Sequence, residues 1–108
     1  MPKVSRETRR MRIRRDLLAQ LERNEIAGNH YEDLVEDYLA LWDMKEKLIS
    51  EVKKNGVMVK WSNGKQIGTK KNDAVTELPR VNKQMLVLFK ELGLSAIDNL
   101  GEDDDEDL

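Results

Sequence analysis

The chain contains no cysteine. That excludes a disulfide framework, a thiolate nucleophile and a cysteine-based zinc site, and it fits a reducing compartment. Aromatic residues are scarce at 5%, and hydrophobic residues make up only 39% of 108 positions, so one small domain has little core material. No apolar run approaches the roughly 20 residues of a membrane helix. The N-terminus has arginines where a signal peptide would carry its apolar stretch. These absences predict a soluble, intracellular protein with no membrane partner. A chain this polar either leaves part of itself unfolded or completes its core against another copy.

Charge, by contrast, is plentiful and unevenly placed. Charged residues reach 37%, and the net charge is only -2. Residues 1–15 nevertheless hold seven bases (Lys3, Arg6, Arg9, Arg10, Arg12, Arg14, Arg15) against Glu7, a local balance of +6. Residues 98–108 hold seven acids and no base, a balance of -7. The body between them is nearly neutral. Charge blocks of this kind mark interaction tails.

The apolar pattern predicts three helices and a hairpin. Ile13, Leu17, Leu18 and Leu21 share one face of a helix over Arg12–Ile26. Gly28 is its expected left-handed C-cap, and Asn29 is the expected cap of the next helix. That second helix, Tyr31–Lys54, carries two stripes: Tyr31, Leu34, Tyr38, Leu41, Leu48 and Val52, and beside them Val35, Leu39, Trp42 and Ile49. One stripe suffices to pack on the first helix. The other is covered either by the last helix or by a second copy, and periodicity leaves the two open. In "VMVKWSNGKQIG" the alternation of Val57, Val59 and Trp61 followed by Asn-Gly predicts a β-hairpin near 57–68, with a type I′ turn centred on Asn63 and Gly64. A third helix is expected over Asp73–Leu92, capped by Asp73, with Val75, Leu78, Val81, Met85, Phe89 and Leu92 on its apolar face. Pro79 interrupts that pattern and predicts a kink, or a helix start only after Leu78. The domain plan is a basic flexible arm at 1–11, a helical core at 12–97 and an acidic disordered tail at 98–108.

No catalytic constellation is visible. The single histidine, His30, falls at a helix start and reads as structural. Glu32, Asp33, Glu36 and Asp37 in "EDLVED" form two i, i+4 carboxylate pairs, more readily a solvated face than a metal site. "NGKQIG" lacks the spacing of a phosphate loop. The expectation is a non-enzyme with neither cofactor nor metal.

The basic arm is an electrostatic device. Arginine-rich segments neutralise phosphates and release counterions, which gives salt-sensitive and largely sequence-independent binding. Arg6, Arg9, Arg10, Arg12, Arg14 and Arg15 are the expected DNA contacts, ordering only on DNA, and Lys60, Lys65, Lys70 and Lys71 extend the positive surface. The acidic tail docks on a basic partner, competes with DNA for the arm, or serves solubility alone. Two other classes compete with this reading. A helix-turn-helix transcriptional regulator would read bases with the second helix, but "HYEDLVED" puts four carboxylates where Arg, Asn or Gln belong. An acidic-tail adaptor or DNA mimic would act through residues 98–108 alone.

The succession "HYEDLVEDYLALWDMKEKLISEVKKNGV", "VKWSNGKQIGTKKNDAV" and "KQMLVLFKELGLS" resembles the small subunit of phage terminase, in the short, mainly helical class of tailed phages and prophages. The resemblance spans residues 12–95. It implies a mainly α subunit with a helical hairpin, a long central helix, one small β-hairpin and a C-terminal helix, joined into a ring-forming oligomer. It also implies a non-enzymatic protein of viral DNA packaging in the host cytoplasm. Its partners would be double-stranded viral DNA, further copies in a homo-oligomeric ring, and the terminase large subunit, whose ATPase and nuclease do the chemistry. Tyr31, Leu34, Tyr38, Leu41, Trp42, Leu48, Val52 and Trp61 are the expected oligomer interface. One departure stands out: members often have proline early in the last helix, where this chain has Asp73.

Overall fold

The structure is a computed structural model that describes residues 4–94. Helix α1 (Arg6–Arg23) is followed by α2 (Asn29–Asn55), an antiparallel hairpin of β1 (Met58–Asn63) and β2 (Gln66–Lys71), and α3 (Asp73–Glu91). The expected mainly α architecture with one hairpin is what forms. The chain divides into two units, residues 4–39 with 86–94, and residues 40–85. The acidic segment 98–108 and Lys3 lie outside the described residues.

The first unit is built on six buried side chains. Leu17 and Leu21 of α1, Val35 and Leu39 of α2, and Leu92 and Leu94 beyond the last turn of α3 form one cluster. Val35, Leu39 and Leu92 have no exposed surface at all. Ile13, Leu18, Ile26, Tyr31, Leu34, Tyr38 and Phe89 pack around it. The cluster resolves the alternative left open above for Val35 and Leu39: the end of the last helix covers them from within the chain. Burial also raises the Tyr38 hydroxyl above its ordinary pKa, because the phenolate would lose water there.

Helix α1 starts at Arg6, six residues ahead of the expected Arg12, so most of the segment expected as a flexible arm is helical. Ser5 supplies the start. Its hydroxyl oxygen accepts from the Thr8 amide at 3.1 Å, an N-cap, and Glu7 sits in the first turn where the helix dipole favours an acid. The far end also departs from expectation. The left-handed residue that closes the helix is Glu25 (φ 58°), and Gly28, also at positive φ (135°), stands three residues further on. The Ile26 amide donates to the Leu21 carbonyl at 2.9 Å and the Glu25 amide to the Glu22 carbonyl at 3.1 Å, a Schellman closure that delivers Ile26 to the core. Gly28 instead precedes α2, its carbonyl accepting from the amides of Tyr31 and Glu32. The end of α3 repeats the Schellman pattern with glycine in the left-handed position. Gly93 (φ 72°) donates to Lys90, and Leu94 donates to Phe89. A Cβ on Gly93 would stand 3.0 Å from the Ile26 Cδ1.

In the second unit the buried residues are Trp42, Glu46, Asn72, Ala74, Val81 and Met85. Asn72 rather than Asp73 caps α3: its Oδ1 accepts from the Ala74 amide at 3.1 Å, while Asp73 is exposed. Its Nδ2 donates to the Gly56 carbonyl at 2.9 Å, and its amide donates to the Val57 carbonyl at 2.7 Å. One side chain therefore closes the base of the hairpin and opens the next helix. From Asp73, α3 runs through Pro79 without a break. Proline there removes the bond to the Val75 carbonyl and costs about 3 kcal/mol. Burial of Ala74 before it and of Val81 and Met85 after it, with Leu78 half-buried between, holds the helix together across that loss.

Three stability measurements check these closures. Glu25→Gly is expected to stabilise the protein by about 0.5–1 kcal/mol, because glycine carries no Cβ into the left-handed region. Gly93→Ala is expected to cost about 1–2 kcal/mol for strain and the Ile26 approach. Asn72→Ala should cost about 1–2 kcal/mol, since a helix cap and a buried carbonyl partner are lost together. Chemical denaturation of the three variants reads all of these.

Candidate nucleic-acid interface

The six arginines of residues 6–15 all lie on α1, within its first three turns. At 3.6 residues per turn they are not confined to one face. Arg6, Arg10 and Arg14 continue the side that bears Ile13, Leu17 and Leu21 toward the N-terminus. Arg12 and Arg15 stand on the opposite side, with Arg9 between. Apart from half-buried Thr8 and Arg10, residues 4–12 are exposed, and the fully buried positions of the helix begin only at Leu17. The leading turns are thus a helical stub ringed by guanidinium groups. The helix dipole already makes this end positive. Like charges spaced at i, i+4 cost a few tenths of a kcal/mol each. Both effects leave the stub favouring an anionic partner.

The arginines are not equivalent. The Arg14 Nε reaches across to the Glu36 Oε1 on α2 at 2.7 Å, with both side chains about half exposed. Arg15 meets its neighbour Asp16 at a looser 3.3 Å and keeps 71% of its side chain exposed. Glu36 belongs to the carboxylate pairs read from the sequence, so one of those acids serves to tie α2 to α1. Among the described residues no group of three or more His, Asp or Glu side chains is placed to hold a metal ion. His30 is exposed, its ring 4.2 Å from that of Tyr31 and in contact range of Gly28.

The lysines expected to extend the basic surface stand on the hairpin, in the second unit. The strands pair from Met58 with Lys71 to Asn63 with Gln66, so the two-residue turn is Gly64-Lys65 rather than Asn63-Gly64. Only Gly64 (φ 60°) is left-handed, and that pattern is type II′, not the expected type I′. Lys65 therefore sits at the tip. Lys70 and Lys71 fall on opposite faces of the hairpin, and Lys70 lies 3.8 Å from Asp73. The structure does not bring the lysines into one cluster.

The expected interface residues also separate. Trp42 is buried at 6% exposure, a correction to its assignment as a surface for another copy. The reason is that the second stripe of α2 faces inward there too. Tyr31, Leu34 and Tyr38 are half-buried against the first unit's core, and Leu41 and Val52 are half-buried. Leu48 borders a shallow groove with Met44, Lys47, Glu77 and Val81. Trp61 lies across the facing strand: a Cβ on its partner Gly68 would come within 2.9 Å of the indole. Sequence reasoning missed the most exposed apolar groups of the hairpin, Met58 at 54% and Ile67 at 80%. The period-2 alternation of β1 pointed at Val59 and Trp61. The register puts Met58 and Ile67 together on the other face, with Lys60 and Lys71.

The family model described as phage terminase, small subunit, matches residues 12–99, and the chain belongs to that family. No curated protein and no solved structure matches the chain. Among the described residues no helix is long and apolar enough to cross a membrane.

Gly68→Val tests the Trp61 arrangement. The new side chain would force the indole off the strand, and the fluorescence of the Trp61 ring should shift to the red while that of buried Trp42 stays put. A Trp42→Phe background isolates the signal.

Proposed function

We propose that this terminase small subunit binds double-stranded viral DNA through the arginines of α1. Copies of it assemble as a ring and recruit the terminase large subunit in the host cytoplasm. The subunit itself performs no chemistry; ATP hydrolysis and DNA cleavage belong to the large subunit. The observation that carries the reading is the distribution of charge around α1. A patch on one face would suit a flat surface, whereas a positive stub with arginines on all sides suits a groove with phosphates on both walls. The major groove of B-DNA, about 12 Å wide, admits a helix. Family membership supplies the packaging context.

Membership also favours a ring, and the hairpin supports assembly. Met58 and Ile67 expose apolar surface that the subunit leaves uncovered, at an element that is marginal alone in water. These two residues replace Trp42 in the proposed interface, while Trp61 stands on the opposite face of the hairpin. A transcriptional regulator is disfavoured by α2, whose first turns present Glu32, Asp33, Glu36 and Asp37, with Glu36 already paired to Arg14.

Fluorescence anisotropy on a labelled duplex, repeated across a salt series, tests the DNA reading. Replacing Arg9, Arg12 and Arg15 by Gln is expected to weaken binding and to flatten the slope of log affinity against log salt by about 2–3, close to one phosphate contact per arginine. Arg14→Gln should flatten it by less than one, because Glu36 already offsets that charge. An unaltered slope in the triple variant would remove α1 from DNA binding.

A further inference from the structure

We infer that the arginine stub of α1 is a docking surface for an acidic peptide, and that its occupant is this chain's own segment 98–108. The contact is a competitor for DNA. Three observations lead there.

The first is charge complementarity. Residues 6–15 carry six arginines and one glutamate, and residues 98–108 carry seven acids (Asp98, Glu102, Asp103, Asp104, Asp105, Glu106, Asp107) with no base. No other stretch of the sequence concentrates either sign to this degree. Of the acids on α2, Glu36 is already paired with Arg14.

The second is the point from which the acidic segment departs. Leu94, the last described residue, is buried at 3% exposure in the same cluster as Leu17 and Leu21 of α1. The acidic segment is therefore tethered to the body of the helix that carries the arginines. From Leu17 to Arg6 the helix rises about 17 Å. Glu102 stands eight positions beyond Leu94, an extended reach of up to about 28 Å. The run Glu102–Asp107 can lie along the stub without straining the chain.

The third is the helix end itself. Arginines crowd the positive end of the α1 dipole, and carboxylates placed there offset that concentration of positive charge. Carboxylates and phosphates satisfy the same groups, so the two partners exclude one another. Tethering holds the acids at about millimolar effective concentration. Weak, non-specific duplex contacts are then displaced, while a ring of subunits engaging one duplex overcomes the competition by combining many contacts.

The competition rests on the DNA reading above, but the contact between the two segments does not, and two experiments separate them. The absence of cysteine allows a single spin label at Leu108→Cys in the full chain. Paramagnetic broadening of the amide signals of residues 6–15 is expected at low salt and should vanish near 0.5 M salt, where the Debye length falls to about 4 Å. Unbroadened α1 amides at low salt would overturn the contact. Equally strong broadening in a mixture of labelled, unenriched copies with enriched, unlabelled copies would overturn its intrachain form. In the second experiment Glu102, Asp103, Asp104, Asp105, Glu106 and Asp107 are all replaced by their amides, and binding to a random-sequence duplex is compared with that of the parent chain. The neutralised variant is expected to bind about tenfold tighter at low salt, with a difference that shrinks as salt rises. Equal affinity would overturn the competition. Failure of both proteins to bind would count against the DNA reading alone, and the broadening would still decide the contact.

Discussion

Packing of α1 and of the residues that follow α3 onto α2 is the constraint from which the first unit follows. Val35 and Leu39 have no surface of their own, because Leu17 and Leu21 reach them from the beginning of the chain and Leu92 and Leu94 from its end. Fully burying a leucine contributes roughly 1.5–3 kcal/mol, so six such residues are a large share of what a small domain can have. The two Schellman closures serve this cluster directly. Each turns the chain sharply and aims the next hydrophobic residue, Ile26 or Leu94, at the leucines. In a protein with so few aromatic residues, positioning by local backbone hydrogen bonds takes the place of bulk.

Placing the core at the C-terminal half of α1 has an electrostatic result. The helix is anchored by its last turns and leaves its first turns to solvent, where the arginines lie. Most helix starts in soluble proteins gather acids. This one gathers bases and keeps only Glu7 as a concession to the dipole. The stability given up at that end is small, a few tenths of a kcal/mol per unfavourable neighbour. In return the subunit has a pre-formed cationic helix end, which would lose little conformational entropy on binding a polyanion.

Much of this was legible in the sequence, for identifiable reasons. Three- and four-residue steps in α2 and α3 located both helices to within a residue or two, and alternation with Asn-Gly located the hairpin. The basic arm was legible as charge but not as helix: its arginines hide any amphipathic period, and the helix depends on Ser5, a single hydroxyl. Glu25 was missed because a left-handed glutamate is rare, and Gly28 nearby offered a better match to the usual rule. The capping role went to Asp73 rather than Asn72 because both residues cap well, and only the hairpin base decides between them. Pro79 looked like an interruption because a local rule counts the lost hydrogen bond and not the tertiary burial on both sides. The Arg14–Glu36 pair joins positions 22 apart, a separation on which no periodicity reports.

Asn72 couples two elements that could otherwise have been independent. Its side chain grips the Gly56 carbonyl with one end and the Ala74 amide with the other, so the hairpin cannot peel from its base without uncapping α3. Mechanically the hairpin is a lever whose fulcrum is that one amide group. A push on the lever's tip, at Ile67 or Lys65, arrives at the first turn of α3 as a tug on its backbone.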